Sequence, residues 1–349
     1  MASFNPAPDT LADVVTPDWL SQMLAPRWPG AHVRDVEIVE VQATQATKAR
    51  LALTVDGGGS DVPARICIKG VLTDTGAVPA ASIVETMFYR EGAAQIPVRV
   101  PECIHASLNA KASCGVIVMR DVIAAGGAFG TALEPFTPEQ TLDGLDQLAR
   151  LHVATWEGTS SFDTPWVSNF LDQISRRPVM PPDMLQNLLD GPRGAALPPA
   201  IRDATRLQAA LKRLATAVSK GPRCFVHGDA HAGNVYRQSD GRLGLVDWQI
   251  LQKGNWAQDV AYHLAAVLLP EDRRTHERAL LDAYRDRLKA LGGPELAPDG
   301  AWQSYRVATV YGYFLWAITR KVEPEITNEF VRRLGTAVDD LKAFDLLDV

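Results

Sequence analysis

Alternation of apolar and polar residues, the mark of a half-buried strand, is confined to the first third of this chain; past residue 121 the apolar residues recur at helical spacing. "DVEIVEVQ" (35–42), "ARLALTV" (49–55) and "ARICIK" (64–69) read as three strands, with "DGGG" (56–59) supplying a turn. "ASIVETMFYREGAAQI" (81–96) spaces Ile83, Met87 and Ala94 as a helix does, and "CIHASL" and "CGVIVM", joined by the polar "NAKAS", add two more strands. That order predicts a five-stranded antiparallel sheet with one main helix between its third and fourth strands. Strands gathered first and helices afterwards make an α+β protein of two lobes: a small N-lobe (1–118), a connection (119–124) and a larger, mostly helical C-lobe (125–349). The C-lobe opens on "TPEQTLDGLDQLARLHVATW", where Thr137 is the expected N-cap, Pro138 the first helical residue and Gln140 the closing member of a capping box. Further helices are expected near 165–191, 199–219, 257–269, 271–291, 300–320 and 326–344.

A chain of 349 residues is long enough to give each lobe its own core. Its net charge of −6 argues against general attraction to nucleic acid or anionic membranes. No basic-then-apolar leader opens the sequence, and the run "VYGYFLWAI" (310–318) is too short to cross a bilayer. Cys67, Cys103, Cys114 and Cys224 are scattered without a CxxC pair, which disfavours a disulfide framework or a structural zinc site. The expectation is a cytoplasmic enzyme with reduced thiols, monomeric or homodimeric, with neither nucleic acid nor membrane as partner.

"CFVHGDAHAGNVYRQSDGRLGLVDWQ" (224–249) sets His227, Asp229, His231, Asn234 and Asp247 between two apolar runs. One reading takes His227, Asp229 and His231 as ligands of zinc or iron in a hydrolase. A plainer one takes the aspartate and asparagine as turn residues satisfying their own backbone. The third uses all of them: His-x-Asp, four residues, Asn, then a later Asp is the register of a phosphoryl-transfer loop. That chemistry needs a carboxylate to orient the attacking hydroxyl and oxygen donors to hold Mg²⁺. A hairpin of "CFVHG" and "LGLVD", with one carboxylate on its loop and the other at its far end, would gather these groups.

"HGDAHAGN" (227–234), "LVDWQ" (245–249) and "GNWAQDVAYHL" (254–264) resemble the aminoglycoside phosphotransferase and choline kinase-like superfamily, enzymes of the protein-kinase-like fold. The lobe order extends the resemblance over most of the chain. Gly228, where protein kinases carry arginine, points to small-molecule kinases, and Trp248-Gln249 is nearer the ecdysteroid-kinase-like branch than the antibiotic kinases. The resemblance implies a nucleotide-binding N-lobe, ATP and Mg²⁺ as cofactors, Asp229 as catalytic carboxylate, and Asn234 and Asp247 as metal ligands. It implies that His227 and His231 brace the loop, His231 alternatively touching substrate, and that Asp259 ties the loop backbone. Asp259 is otherwise an acid favoured at a helix N-terminus.

On the nucleotide side, Lys69 ends the third strand where a kinase lysine reaches the α- and β-phosphates, and Glu85 is suitably placed to pair with it. Glu91 competes for that pairing, and a strand-end lysine can simply be solvated. The segment between the first two strands, "VQATQATKAR", holds no glycine, so Thr44, Thr47 and Lys48 are the candidates for phosphate contacts that backbone N–H groups usually make. "IVMRDV" (117–122) is the expected connection between lobes, where the backbone near Met119 would meet an adenine edge.

The acceptor is expected against the C-lobe helices. "DGAWQSYRVATVYGYFLWAITR" carries Trp302, Tyr305, Tyr311, Tyr313, Phe314 and Trp316, mostly as core, and lacks the dense carboxylates that would suit a polycation. A small-molecule alcohol with a substantial apolar part is therefore the leading acceptor, with an aminoglycoside or macrolide as the alternative. A non-catalytic kinase-like binding module is a further alternative, encouraged by the glycine-free segment. No long activation segment ending in Ala-Pro-Glu follows Asp247, which disfavours a protein substrate.

Overall fold

The computed structural model describes residues 6–43, 46–72, 82–177 and 179–349. Strands β1 (His32–Ala43), β2 (Thr47–Asp56), β3 (Arg65–Gly70), β4 (Cys103–Leu108) and β5 (Gly115–Arg120) form one antiparallel sheet in the order β1-β2-β3-β5-β4. β1 and β2 run longer than their alternation suggested, because the ladder continues to the pair Ala43–Thr47.

Strand β5 is apolar on both faces because both faces are covered. Val116 and Val118 share a core with Val33, Leu51, Ile66 and Ile68, closed by α1 (Leu11–Val14) and α2 (Pro17–Leu24), which contribute Val14, Leu20 and Leu24. Neither helix stands out in the sequence, although Thr10 and Thr16 cap their first turns. Ile117 and Met119 point the other way, toward Phe88 and Tyr89 and the large core of the helical lobe. The helix on that side, α3 (Ile83–Met87), continues as a π turn over Phe88–Gly92. The two lobes thus share one continuous apolar cluster.

The helical lobe comprises α4 (Pro138–Ala154), α5 (Phe170–Arg176), α6 (Pro182–Asp190), α7 (Ala204–Lys220), α8 (Trp256–Val267), α9 (Pro270–Ala290), α10 (Pro298–Ile318), α11 (Pro324–Asp340) and α12 (Ala343–Leu346). The capping box of Thr137 and Gln140 opens α4 as expected. The pattern read as one helix near 165–191 divides into α5 and α6, since prolines at 181 and 182 fit a helix start and not its interior. Helix α8, every residue of it buried, is the axis of the lobe and packs against α10, α4 and α11. Among the described residues no helix is long and apolar enough to cross a membrane.

Five short strands frame the polar segment: β6 (Ala128–Phe129), β7 (Cys224–Val226), β8 (Val235–Arg237), β9 (Leu243–Leu245) and β10 (Gln252–Gly254). "CFVHG" and "LGLVD" are not hairpin partners. β7 pairs with β10, while β9 pairs with β8 across the turn at 238–242, and β6 lies on the other side of β8. A five-residue turn closes β8 on β9 locally, leaving β7 to take a later strand.

Candidate active site

Three side chains meet where the sheet faces the helical lobe. Lys69 leaves the end of β3, 4% exposed, with its Nζ 2.7 Å from Glu85 Oε2 and 3.0 Å from Asp247 Oδ1. Lys48, directly opposite Lys69 on β2, places its Nζ 3.5 Å from Asp247 Oδ2. Burial raises the Asp247 carboxyl, but Lys69 and Lys48 more than offset it and hold that group well below the usual carboxylate range. Burial works the other way on Lys69, where Asp247 and Glu85 outweigh it and keep the ammonium charged. Glu85 sits at the losing end: burial raises its carboxyl beyond what Lys69 takes back.

Glu91 is not the partner of Lys69; it faces Arg90 and accepts from Trp166 Nε1 at 3.0 Å. Glu85 is further held by the N–H of Trp248, which donates to its Oε1 at 3.2 Å. The Trp248 indole stacks on Phe88 of the π turn, ring centres 3.9 Å apart. Asp247 itself has φ +68°, a left-handed backbone that costs a non-glycine residue of order 1 kcal/mol or more. Its neighbours on both sides fix it there, since Val246 N–H donates to Asn234 O at 3.0 Å.

The loop from β7 to β8 carries the remaining residues. Asp229 accepts from Asn234 Nδ2 at its Oδ2 and from the Tyr262 hydroxyl at its Oδ1, both 2.9 Å. Beneath the loop, Asp259 is fully buried and takes two successive backbone N–H groups, His227 at 2.7 Å and Gly228 at 2.8 Å. His152 Nε2 lies 3.1 Å from the same carboxylate, and its Nδ1 lies 2.7 Å from the Tyr284 hydroxyl. A buried line of hydrogen bonds therefore runs from α9 through α4 and α8 to the loop.

His227 spends both ring nitrogens on backbone, and His231 spends one. His227 Nδ1 accepts from Asp229 N–H at 3.2 Å, and its Nε2 lies 3.0 Å from Val246 O. Burial lowers its pKa and keeps the ring neutral. His231 Nδ1 accepts from Gly233 N–H at 3.1 Å, capping the turn that delivers Asn234, and its Nε2 is 3.7 Å from Asp229 Oδ2. The zinc or iron reading of His227, Asp229 and His231 loses His227, whose two nitrogens are taken, and no group of three His, Cys, Asp or Glu side chains that could hold a metal ion is found among the described residues. Gly228, at φ +81°, turns the chain where a Cβ would lie 2.6 Å from Ile250 O.

Two nucleotide-side candidates are placed differently from the reading of the sequence. Thr47 is fully buried as the first residue of β2, so its hydroxyl does not line an open phosphate site. Met119 lies inside β5, paired with Cys67 on one side and Cys103 on the other, so the sheet takes up its backbone. Past the sheet, Asp121 pairs with Arg50 at 2.9 Å and accepts from Ile123 N–H at 2.9 Å, leaving the segment that follows as the nearest irregular backbone. Thr44 lies outside the described residues. The oxygen donors of Asn234 and Asp247 suit a hard cation such as Mg²⁺, and the two lysines on Asp247 show that its carboxylate sits where positive charge is taken up.

His152, Tyr262 and Tyr284 carry no signal in the sequence. Each lies on the apolar face of a helix and looks like ordinary core, and their partners are distant in sequence, 107 residues in the case of His152 and Asp259.

The model of the phosphotransferase enzyme family matches residues 85–298, a span that begins at Glu85 and includes Asp229, Asn234, Asp247 and Asp259. The choline kinase LicA from Streptococcus pneumoniae has the same fold at a TM-score of 0.50 and 14% identity, over 93% of this chain and 98% of that one. An ethanolamine kinase from Plasmodium vivax gives a TM-score of 0.50 at 10% identity, over 95% and 84%. The fold is thus the bilobal, protein-kinase-like one. No curated protein matches the chain.

Proposed function

The chain belongs to the phosphotransferase enzyme family, and from that premise we propose that it uses Mg²⁺ and ATP to phosphorylate a hydroxyl of a small molecule with a substantial apolar part. One observation carries the reading: Lys69 lies within 3.0 Å of both Glu85 and Asp247, while the side chain of Asp229, on the adjoining loop, is 28% exposed and follows two backbone N–H groups held by Asp259. Lys69 binds the nucleotide phosphates, kept extended by Glu85. Asn234 and Asp247 hold Mg²⁺, which supplies neutralisation of phosphate charge when bound. Asp229 orients the acceptor. The alcohol oxygen bonds to the γ-phosphorus as the bond to the β-bridging oxygen breaks, ADP leaves with that electron pair, and the hydroxyl proton passes to Asp229.

The apolar character of the acceptor rests on the wall beside Asp229. His231 is flanked by Trp316 at 5.0 Å and Phe330 at 5.1 Å, two rings stacked on each other at 4.1 Å. Helix α10 carries a single acid, Asp299, in its first turn, which offers little to a polycation. The test is a metabolite extract incubated with protein and Mg-ATP and searched by mass spectrometry for phosphate-shifted species. New phosphorylated alcohols should form, and Asp229→Ala should abolish them; undiminished products from that variant would end the assignment. Turnover confined to choline or aminoglycosides would end the apolar part of it.

A further inference from the structure

Gly312 stands inside α10, where glycine weakens a helix by about 1 kcal/mol against alanine, and its neighbours Tyr311, Tyr313 and Phe314 are all buried. The reason lies across the interface with α8. A Cβ at Gly312 would lie 2.6 Å from Cδ2 and 2.9 Å from Cγ of Tyr262, well inside contact distance. Without it, the buried Tyr262 ring seats against the α10 backbone, edge-on to Tyr311 at 6.1 Å, and its hydroxyl reaches Asp229 Oδ1 at 2.9 Å. Asn234 Nδ2 occupies the other oxygen at 2.9 Å. One donor on each oxygen fixes the plane of the carboxylate, and the four lone-pair sites of the group leave room for an incoming hydroxyl.

We infer that Gly312 and Tyr262 are a positioning pair for the phosphoryl transfer, the absent side chain of one letting the hydroxyl of the other lock Asp229 in its working orientation. This rests on the role given to Asp229 above. Burial and the neighbouring Asp229 charge push the Tyr262 phenol well up, so it remains a donor at any working pH.

The test follows ADP formation from Mg-ATP with a panel of terpenoid, sterol and fatty alcohols, in the wild type and in Tyr262→Phe, Gly312→Ala, the double variant and Asp229→Ala. Tyr262→Phe keeps the ring and removes the hydroxyl; kcat should fall about 10- to 100-fold, with KM for ATP and the melting temperature nearly unchanged. Gly312→Ala should lower kcat in the same direction, and adding it to Tyr262→Phe should cost no more than about twofold, because both act through one hydrogen bond. A wild-type kcat in Tyr262→Phe, or losses that multiply in the double variant, would overturn the inference. If Asp229→Ala is inactive in that case, the phosphotransferase reading survives it. Full activity in Asp229→Ala, or no ADP from the wild type, removes the reading beneath it as well.

Discussion

Replacing Asp259 by alanine removes the acceptor for two backbone N–H groups of the loop, at 2.7 and 2.8 Å, and the partner of His152 at 3.1 Å. Asp259 and His152 are both fully buried, so water does not readily take the carboxylate's place. A buried donor left without a partner costs about 1–3 kcal/mol, and hydrogen bonds to a charged group contribute at the upper end of the scale. Three such losses give roughly 3–9 kcal/mol, a large part of the ~5–15 kcal/mol that holds a typical domain together. Asp259→Asn keeps the shape and one oxygen but turns an NH₂ toward a donor, so its cost should fall near half of that. Urea unfolding with a common m-value should rank wild type, Asn and Ala in that order. Asp229 follows Gly228 directly, and a shift of ~1 Å in a reacting group can cost about 100-fold in rate. Turnover should therefore drop by that order at temperatures where the variants remain folded. An alanine variant within about 1 kcal/mol of wild type and within about threefold of its rate would refute the claim that this carboxylate shapes the loop.

Lys69→Met takes away the ammonium between Glu85 and Asp247. ADP formation should fall about 100-fold or more, and Glu85, whose carboxyl burial already raises, should take up a proton; a rate within about threefold of wild type would count against the phosphate role of Lys69. On β4, burial brings the His105 pKa down to about 4, against ~6.5 in an unfolded chain. Below that value the unfolded chain takes the proton and the folded one does not, so the stability present above pH ~6.5 is lost as pH falls toward 4. The loss is about 3 kcal/mol. Denaturant melts across that window should show it, and His105→Gln should flatten the slope; an unaltered slope would locate the titration elsewhere.

Local chemistry determined much of this protein. Strand alternation gave the five-stranded sheet, and the Thr137–Gln140 box gave the start of α4. The spacing of His227, Asp229, Asn234 and Asp247 marked the loop, because a loop built for one chemistry carries its groups within a few residues of one another. Pairing of the short strands was not legible: β7, β8 and β9 are three residues each, too short for alternation to choose partners, and register came from the turn at 238–242 and the packing around it. The nucleotide side was half legible, since Lys69 and Glu85 carry charges that ask for partners while the burial of Thr47 and the ladder position of Met119 depend on neighbouring strands. His227, His231 and Asp259 were legible as supports of the loop, but the residues behind them were not. Tyr262, Gly312, His152 and Tyr284 lie on four different helices and act only because α8 brings those helices together. A sequence displays what is near along the chain; which buried hydroxyl meets which carboxylate is fixed by packing between segments a hundred residues apart, and only the folded structure holds that information.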